Sequence, residues 1–142
     1  MILDTQVLEN RFVRLEPLAE THREGLRAAC AADPETWNQL YPFSMLEGHF
    51  EPAWDRMIDK TMGGSSQSFA VMVGGEVGGM TSYLNIDLAN RKLEVGGTYY
   101  RPDLRGGAVN PAAKRLMLGH AFDSGLQRLQ ICVDAINARS RA

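Results

Sequence analysis

The chain has 142 residues, the common size of a single hydrophobic core, so we expect one domain over residues 1–142. Hydrophobic residues make up 44% and charged residues 23%, which excludes a disordered or fibrous protein. A net charge of −2 lacks the excess of Lys and Arg that nucleic-acid-binding domains carry, so we expect no nucleic acid partner. No apolar run approaches the roughly 20 residues that span a bilayer, so we expect a cytoplasmic protein with no membrane partner.

The cysteines and histidines form neither a disulfide framework nor a metal-ligand pattern. Cys30 and Cys132 are isolated inside apolar segments, a placement that is typical of small buried side chains. His22, His49 and His120 are scattered along the chain, so no cluster of ligands can be proposed. We therefore predict no metal site.

The N-terminal part of the chain predicts one strand followed by two helices. Residues 12–16 alternate apolar and charged side chains, the period of a half-buried strand. Apolar residues then recur at helical spacing over residues 18–30, and Asp33-Pro34 ends that helix. A second amphipathic helix is predicted over residues 50–62, and an aromatic loop lies between the two helices.

The middle of the chain predicts an antiparallel meander. We expect its three strands at residues 68–73, 76–86 and 92–100. Gly74 and Gly75 separate the first two strands, and glycines accept the positive φ of a tight hairpin turn. Gly96 and Gly97 lie inside the third strand, where they predict a bulge or a close approach of a ligand to the backbone.

A glycine-rich turn then leads into the last predicted helix and strand. Residues 105–110 read Arg-Gly-Gly-Ala-Val-Asn, and small residues at a helix start let main-chain N–H groups approach an anion. A merely convenient strand-to-helix turn explains these residues equally well. Asn110 before Pro111 predicts that Asn110 caps the helix, and a strand over residues 128–134 follows it. The resulting order, strand, two helices, three strands, helix, strand, predicts an α+β fold.

In this order the segments resemble the GNAT acetyltransferases, whose central helix opens with Gln/Arg-x-x-Gly-x-Gly/Ala to hold the diphosphate of CoA. Residues 105–110 lie at that place, with Ala108 where the motif has glycine and Asn110 where it has glycine or alanine. The segment Leu93-Glu94-Val95-Gly96-Gly97-Thr98 and the later Asn137-Ala138-Arg139-Ser140 are similar to the branch of the ribosomal-protein N-terminal acetyltransferases, the RimJ/RimL-like enzymes.

The resemblance implies the three-layer α/β GNAT fold, a mostly antiparallel central sheet flanked by helices in the order β-α-α-β-β-β-α-β. It also implies that residues 1–142 form a GNAT-like domain that is incomplete at its C-terminus and lacks the final helix and two strands. The last strand would then have an uncovered edge, which favours a homodimer or another self-association.

The activity that the resemblance implies is transfer of an acetyl group from acetyl-CoA to a primary amine, such as a protein N-terminal amine. Direct attack in a ternary complex is expected, because neither cysteine lies in a motif for a covalent relay. A catalytically inactive CoA-binding or protein-interaction domain remains the alternative.

The resemblance also assigns expected roles to individual residues. Glu94 is the expected catalytic base, because a protonated amine must lose a proton before it attacks, although pairing with a nearby cation is an alternative. The expected acetyl-CoA-binding residues are Gly96, Gly97, Thr98, Arg105, Gly106, Gly107, Ala108, Val109, Asn110, Asn137 and Ser140. The expected acceptor pocket is lined by Tyr41, Phe43 and Tyr83. An alternative role for Gly96 and Gly97 is to curve the sheet. An alternative role for Asn137 and Ser140 is to cap a helix.

Overall fold

A computed structural model describes residues 6–33 and 50–131, and this part of the chain contains three α-helices and six strands. The strands are β1 (Leu8–Glu9), β2 (Arg14–Pro17), β3 (Gln67–Val73), β4 (Glu76–Asp87), β5 (Lys92–Tyr100) and β6 (Arg128–Ile131). The helices are α1 (Arg23–Ala31), α2 (Phe50–Met62) and α3 (Val109–Asp123), with short 3₁₀ turns at Glu20–His22 and Pro102–Leu104.

The six strands form one sheet in the order in which they occur along the chain. Neighbouring strands are antiparallel from β1 to β5, whereas β5 and β6 are parallel. A parallel pair requires a crossover connection, and α3 supplies it. The predicted fold class, a mostly antiparallel sheet flanked by helices, is confirmed, with β1 as an additional short strand.

Helices cover both faces of the sheet, because each helix has one apolar face to bury. On one face α3 packs in a core that includes Leu15, Val71, Tyr83, Val95 and Met117. On the opposite face α1 and α2 pack in a core that includes Leu26, Phe50, Trp54, Met80 and Tyr99. The sheet therefore separates two cores, and β5 contributes to both.

A β-bulge lies in β5 at the glycine pair that suggested one. The pairing of β4 with β5 shifts between Met80 and Ser82, so that Gly97 and Thr98 both lie opposite Thr81. Gly97 has a φ of +58°, which glycine adopts without strain. The predicted bulge is confirmed.

The bulge changes which side chains of β5 face α3. Leu93 and Val95, before the bulge, lie in the core under α3, whereas Tyr99, beyond it, lies in the core under α1 and α2. Because side chains alternate along a strand, an unbroken β5 would place Tyr99 on the same face as Val95. The extra residue reverses the alternation and gives each core its own aromatic ring, with Tyr100 on the α3 face.

The start of α3 differs from the prediction. Ala108 is the N-cap residue, and no side chain makes a cap hydrogen bond, so the prediction that Asn110 caps the helix is wrong. The backbone at Ala108 is already helical, with φ −79° and ψ −15°, which places Asn110 and Pro111 inside the first turn. Pro111 is tolerated there because an N–H group in the first turn has no intrahelical acceptor.

Gly79 lies where β4 and β5 approach too closely for a side chain. A Cβ atom at this position would be 1.9 Å from the carbonyl oxygen of Tyr99. Because that neighbour is backbone, we expect G79A to lower the free energy of unfolding by about 3 kcal/mol or more. As a control, G119A in α3, where a Cβ atom meets nothing within 4 Å, should raise it by roughly 0.5–1 kcal/mol. Urea titration measures both, and a G79A variant as stable as the unsubstituted protein would contradict this packing.

Glu16 of β2 holds His22 in place just before α1. Nε2 of His22 lies 2.8 Å from Oε1 of Glu16, and Nδ1 of His22 accepts the main-chain N–H of Ala19 at 3.0 Å. Since Nδ1 accepts, the proton is on Nε2, which donates to the carboxylate. Hydrogen bonds from His22 and then Arg14 hold the pKa of Glu16 below its ordinary value of 4.5.

This lowered pKa predicts a pH-dependent contribution to stability. A carboxyl group with a lower pKa in the folded state stabilises the fold above pH 4.5, and the contribution disappears as pH falls through the folded-state pKa. We expect the E16Q substitution to lower the free energy of unfolding by about 1 kcal/mol at neutral pH. At a pH well below 4.5 the decrease should be much smaller. Urea unfolding across that range tests it, with E20Q, a 72% exposed partner of Arg23, as the control that should change little. If the E16Q substitution lowered stability by the same amount at every pH, the ionised Glu16 carboxylate would not be the source of the stabilisation.

Candidate active site

A row of main-chain N–H groups at the start of α3 lacks acceptors among the described residues. The N–H of Arg105 bonds the carbonyl oxygen of Pro102 at 3.3 Å, and the first bond inside α3 runs from the N–H of Ala112 to the carbonyl oxygen of Ala108 at 3.0 Å. Between them, the five N–H groups of residues 106–110 make no hydrogen bond within the described part of the chain. These donors lie at the positive end of the α3 dipole. We call residues 106–110 the cradle.

Gly106 shapes the cradle and leaves it open. It has a φ of +78°, and a Cβ atom at Gly106 or Gly107 would meet no atom closer than 4.0 Å. Gly106, Gly107 and Ala108 are exposed to solvent. An anion could therefore reach the donors without displacing a side chain, and main-chain amides at a helix N-terminus are donors that bind phosphate groups in many proteins. The residues present fit a diphosphate.

The Arg105 side chain, next to the cradle, contacts three residues outside it. Its Nε donates to the carbonyl oxygen of Tyr100 at 2.9 Å, and its Nη2 lies 2.6 Å from Oδ2 of Asp33. Its guanidinium carbon is 5.3 Å from the ring centroid of Tyr99. These contacts give Arg105 a supporting role within the protein, alongside any contact with a ligand.

Glu94 lies on β5 at a cleft of about 290 Å3. The cleft is lined by Asn85, Lys92, Leu93, Glu94, Arg128, Leu129 and Gln130. Nδ2 of Asn85 donates to Oε2 of Glu94 at 3.0 Å, which orients the carboxylate. Because Leu93 and Val95 face α3, Glu94 lies on the opposite face of the sheet, about 10 Å along the strand from Gly97. The structure therefore places the carboxylate and the bulge on the same strand.

Two of the predicted site residues face the core under α3. The Oγ1 atom of Thr98 is 2.9 Å from that of Thr81, which in turn is 3.4 Å from Sδ of Met117. Tyr83 is 0% exposed, and its hydroxyl donates to the carbonyl oxygen of Met117 at 2.5 Å. Burial raises the pKa of the Tyr83 hydroxyl. Tyr83 is a core residue in this structure, so its position does not support the predicted place in the acceptor pocket.

Four further predicted site residues lie outside the described residues. They are Tyr41, Phe43, Asn137 and Ser140. Their roles stay predictions. Of the others, Gly96 and Gly97 lie in β5, and the cradle follows the end of that strand, so β5 connects the two groups.

Sequence reasoning missed Asp33 and Asn85, which contact Arg105 and Glu94. The partner of Asp33 is far away along the chain, and no local pattern reports such a contact. For Asn85 the sequence offers a weak signal, because asparagine is enriched among non-glycine residues with positive φ. In the structure its φ is +49°. It lies where the pairing of β4 with β5 shifts for a second time.

Cys30 is a poor nucleophile. It is 0% exposed, and burial raises the pKa of its thiol to about 12, so the thiol stays protonated at neutral pH. Within residues 6–33 and 50–131, no three His, Cys, Asp or Glu side chains form a group that could hold a metal ion. In the same part of the chain, no helix has both the length and the apolarity needed to cross a membrane.

A curled, mostly antiparallel sheet between helices, with open main-chain donors at the start of its crossover helix, is the architecture of an N-acetyltransferase domain. The sequence matches the family model described as "Acetyltransferase (GNAT) domain" over residues 13–142. The chain therefore belongs to the GNAT family, and its class is that of the acetyl-CoA-dependent N-acetyltransferases. The predicted family and enzyme class are confirmed.

Solved structures show the same similarity. A putative acetyltransferase from T. thermophilus is 30% identical, with 99% of this chain and 73% of that chain covered and a TM-score of 0.82. A GCN5-related N-acetyltransferase from Brucella melitensis is 29% identical, with 87% and 57% covered and a TM-score of 0.74. Mycobacterium smegmatis RimJ, solved with CoA-disulfide, is 19% identical, with 96% and 72% covered and a TM-score of 0.82, a likeness of fold. The matched part is thus 57–73% of the length of these proteins. No curated protein matches the sequence significantly.

Proposed function

We propose that this domain binds acetyl-CoA through the cradle and transfers the acetyl group to a primary amine. The observation that carries the proposal is the row of five N–H groups at residues 106–110 that no described residue accepts. Such donors, together with the helix dipole, favour an anion as strongly charged as a diphosphate. Membership of the GNAT family supports the same co-substrate.

Three parts of the chain would have different roles in the reaction. Acetyl-CoA supplies the acyl group as an activated thioester. The cradle would hold its diphosphate, and the bulge at Gly97, where the β4–β5 register shifts, would offer a main-chain N–H group to a carbonyl oxygen as negative charge develops. Glu94 would accept a proton from the amine, directly or through water.

Direct attack by the amine is the simplest route with these residues. An acyl-enzyme on cysteine would require a thiolate, and burial raises the pKa of the Cys30 thiol, the cysteine among the described residues, to about 12. The proton lost by the amine would go to the Glu94 carboxylate, and the thiolate of CoA would leave. The proposal therefore needs both substrates bound together.

For the acceptor, we propose a peptide N-terminal amine. The support is the similarity of residues 93–98 to the segment found in the ribosomal-protein N-terminal acetyltransferases. The cleft beside Glu94, at about 290 Å3, has room for the amine end of a substrate next to the proposed base.

Two measurements test the proposed function. Calorimetry should show that CoA binds and raises the melting temperature, as a ligand of the folded state does. Thiol release from acetyl-CoA should then be faster with N-terminal peptides than with polyamines or aminoglycosides. Binding without turnover by any amine would indicate an inactive CoA-binding domain, and absence of CoA binding would overturn the proposal.

Self-association and a cytoplasmic location stay predictions. β6 is the last strand of the described sheet, and its Ile131 is 44% exposed, which supports a partner at this edge. We propose that a second copy of the chain covers it. Light scattering that shows a monomer at micromolar concentration would remove the proposed homodimer.

A further inference from the structure

We infer that Asp33 is a positioning residue for the cradle and acts through Arg105, an inference that rests on the proposed function. Asp33 follows α1, and its Oδ2 atom lies 2.6 Å from Nη2 of Arg105. The two side chains are 12% and 21% exposed. Ion pairs on protein surfaces contribute little because water screens them, whereas this pair is mostly shielded.

Further contacts hold the Arg105 guanidinium at this place. Its Nε donates to the carbonyl oxygen of Tyr100 at 2.9 Å, and the Tyr99 ring centroid is 5.3 Å from its carbon. The Tyr99 ring is held in turn, because its hydroxyl donates to the carbonyl oxygen of Ala29 in α1 at 2.8 Å. One guanidinium thus joins the end of α1, the end of β5 and the residue that precedes the cradle.

The conformation of the cradle depends on these contacts of Arg105, which we call the anchor, because the main chain of the cradle itself makes few hydrogen bonds. The N–H groups of residues 106–110 donate to no acceptor in the described part of the chain, so they do not restrict the turn. Gly106, next to Arg105, has a φ of +78°, and glycine has the widest choice of alternative conformations. If the anchor loosens, only a fraction of molecules presents the donors together, and the apparent affinity for the ligand falls by that fraction.

The test is the D33N variant, which keeps the size of the side chain and removes its charge. We expect the Kd for CoA and the KM for acetyl-CoA to rise about tenfold. The kcat at saturating acetyl-CoA should stay within about twofold, because Asp33 touches none of the proposed reacting groups. If Asp33 only stabilised the fold, the D33N substitution would not raise KM while leaving kcat nearly unchanged.

Three further variants complete the design. D103N is the matched control, because Asp103 lies in the 3₁₀ turn next to the cradle, pairs with Arg101 and is 65% exposed; it should bind CoA as the unsubstituted protein does. D33E keeps the charge and should lie between D33N and the unsubstituted protein. D33N/R105M should bind CoA no worse than R105M, because both substitutions remove the same link.

Each outcome decides the inference. Unchanged CoA affinity in folded D33N, an equal loss in D103N, or a fall in kcat as large as the rise in KM would overturn it, and the proposed function would stand. If D33N does not fold, D33E decides: affinity below that of D103N supports the inference, and unchanged affinity overturns it. Failure of the unsubstituted protein to bind CoA would instead remove the proposed function.

Discussion

The A108D variant is expected to be more stable than the unsubstituted protein and to lose CoA binding. Ala108 is the N-cap residue of α3, where no side chain makes a cap hydrogen bond. An aspartate there would complement the helix dipole, which stabilises by roughly 0.3–1 kcal/mol, although the helical backbone at this position does not let its side chain cap the first-turn N–H groups. The same negative charge would repel a diphosphate at the cradle. We expect CoA affinity to fall by about 100-fold or more, because like charges brought together at a binding site cost several kcal/mol.

The A108N variant separates the effect of the charge from that of the side chain's shape. Asparagine has nearly the same shape as aspartate but carries no charge, so it should lack the stability gain from the helix dipole, and its loss of CoA affinity should be about tenfold or less. Thermal unfolding and calorimetric titration with CoA at low salt measure both quantities. Undiminished CoA binding by A108D would show that the diphosphate does not lie in the cradle.

The second large effect is expected from E94Q. Loss of a general base lowers kcat/KM by about 100- to 10,000-fold, and glutamine keeps an acceptor for the hydrogen bond from Asn85. The loss should be greatest at low pH, because almost every amine molecule is then protonated and needs the base. Above the pKa of the amine, the activities of E94Q and the unsubstituted protein should converge. CoA binding should be unchanged, since Glu94 lies in β5 and the cradle follows that strand.

The E76Q variant is the matched control for E94Q. Glu76 lies on β4, pairs with Arg101 and is 74% exposed, so its substitution should leave both the rate and the pH profile unchanged. Rates measured by thiol release from low to high pH provide the comparison. A pH profile of the same shape in E94Q and in the unsubstituted protein would remove Glu94 from the mechanism.

Elements with strong local patterns could be predicted well from the sequence. The amphipathic pattern over residues 50–62 coincides with α2, and the third meander strand coincides with β5. The hairpin glycines Gly74 and Gly75 have φ values of +61° and +83°, as a tight turn requires. These predictions succeeded because helix and strand periods, and the freedom of glycine, are properties of neighbouring residues.

Predictions that depended on a residue's exact surroundings were weaker. The α3 start was misplaced because Asn110-Pro111 is a favourable cap sequence, while the backbone had already become helical at Ala108. Tyr83 was expected to line the acceptor pocket, whereas in the structure it is buried and its hydroxyl donates to the carbonyl oxygen of Met117. Neither outcome is visible in the local pattern.

The amino-acid sequence by itself determined the family, the order of the elements and the place of the bulge, since these follow from residue types and short-range spacing. Only the tertiary structure decided that α1 and the cradle are joined through Asp33 and Arg105, and that Asn85 orients Glu94. The physical reason is that such contacts depend on strand register and on the packing of helices over the sheet. A one-residue bulge is enough to change which side chains meet.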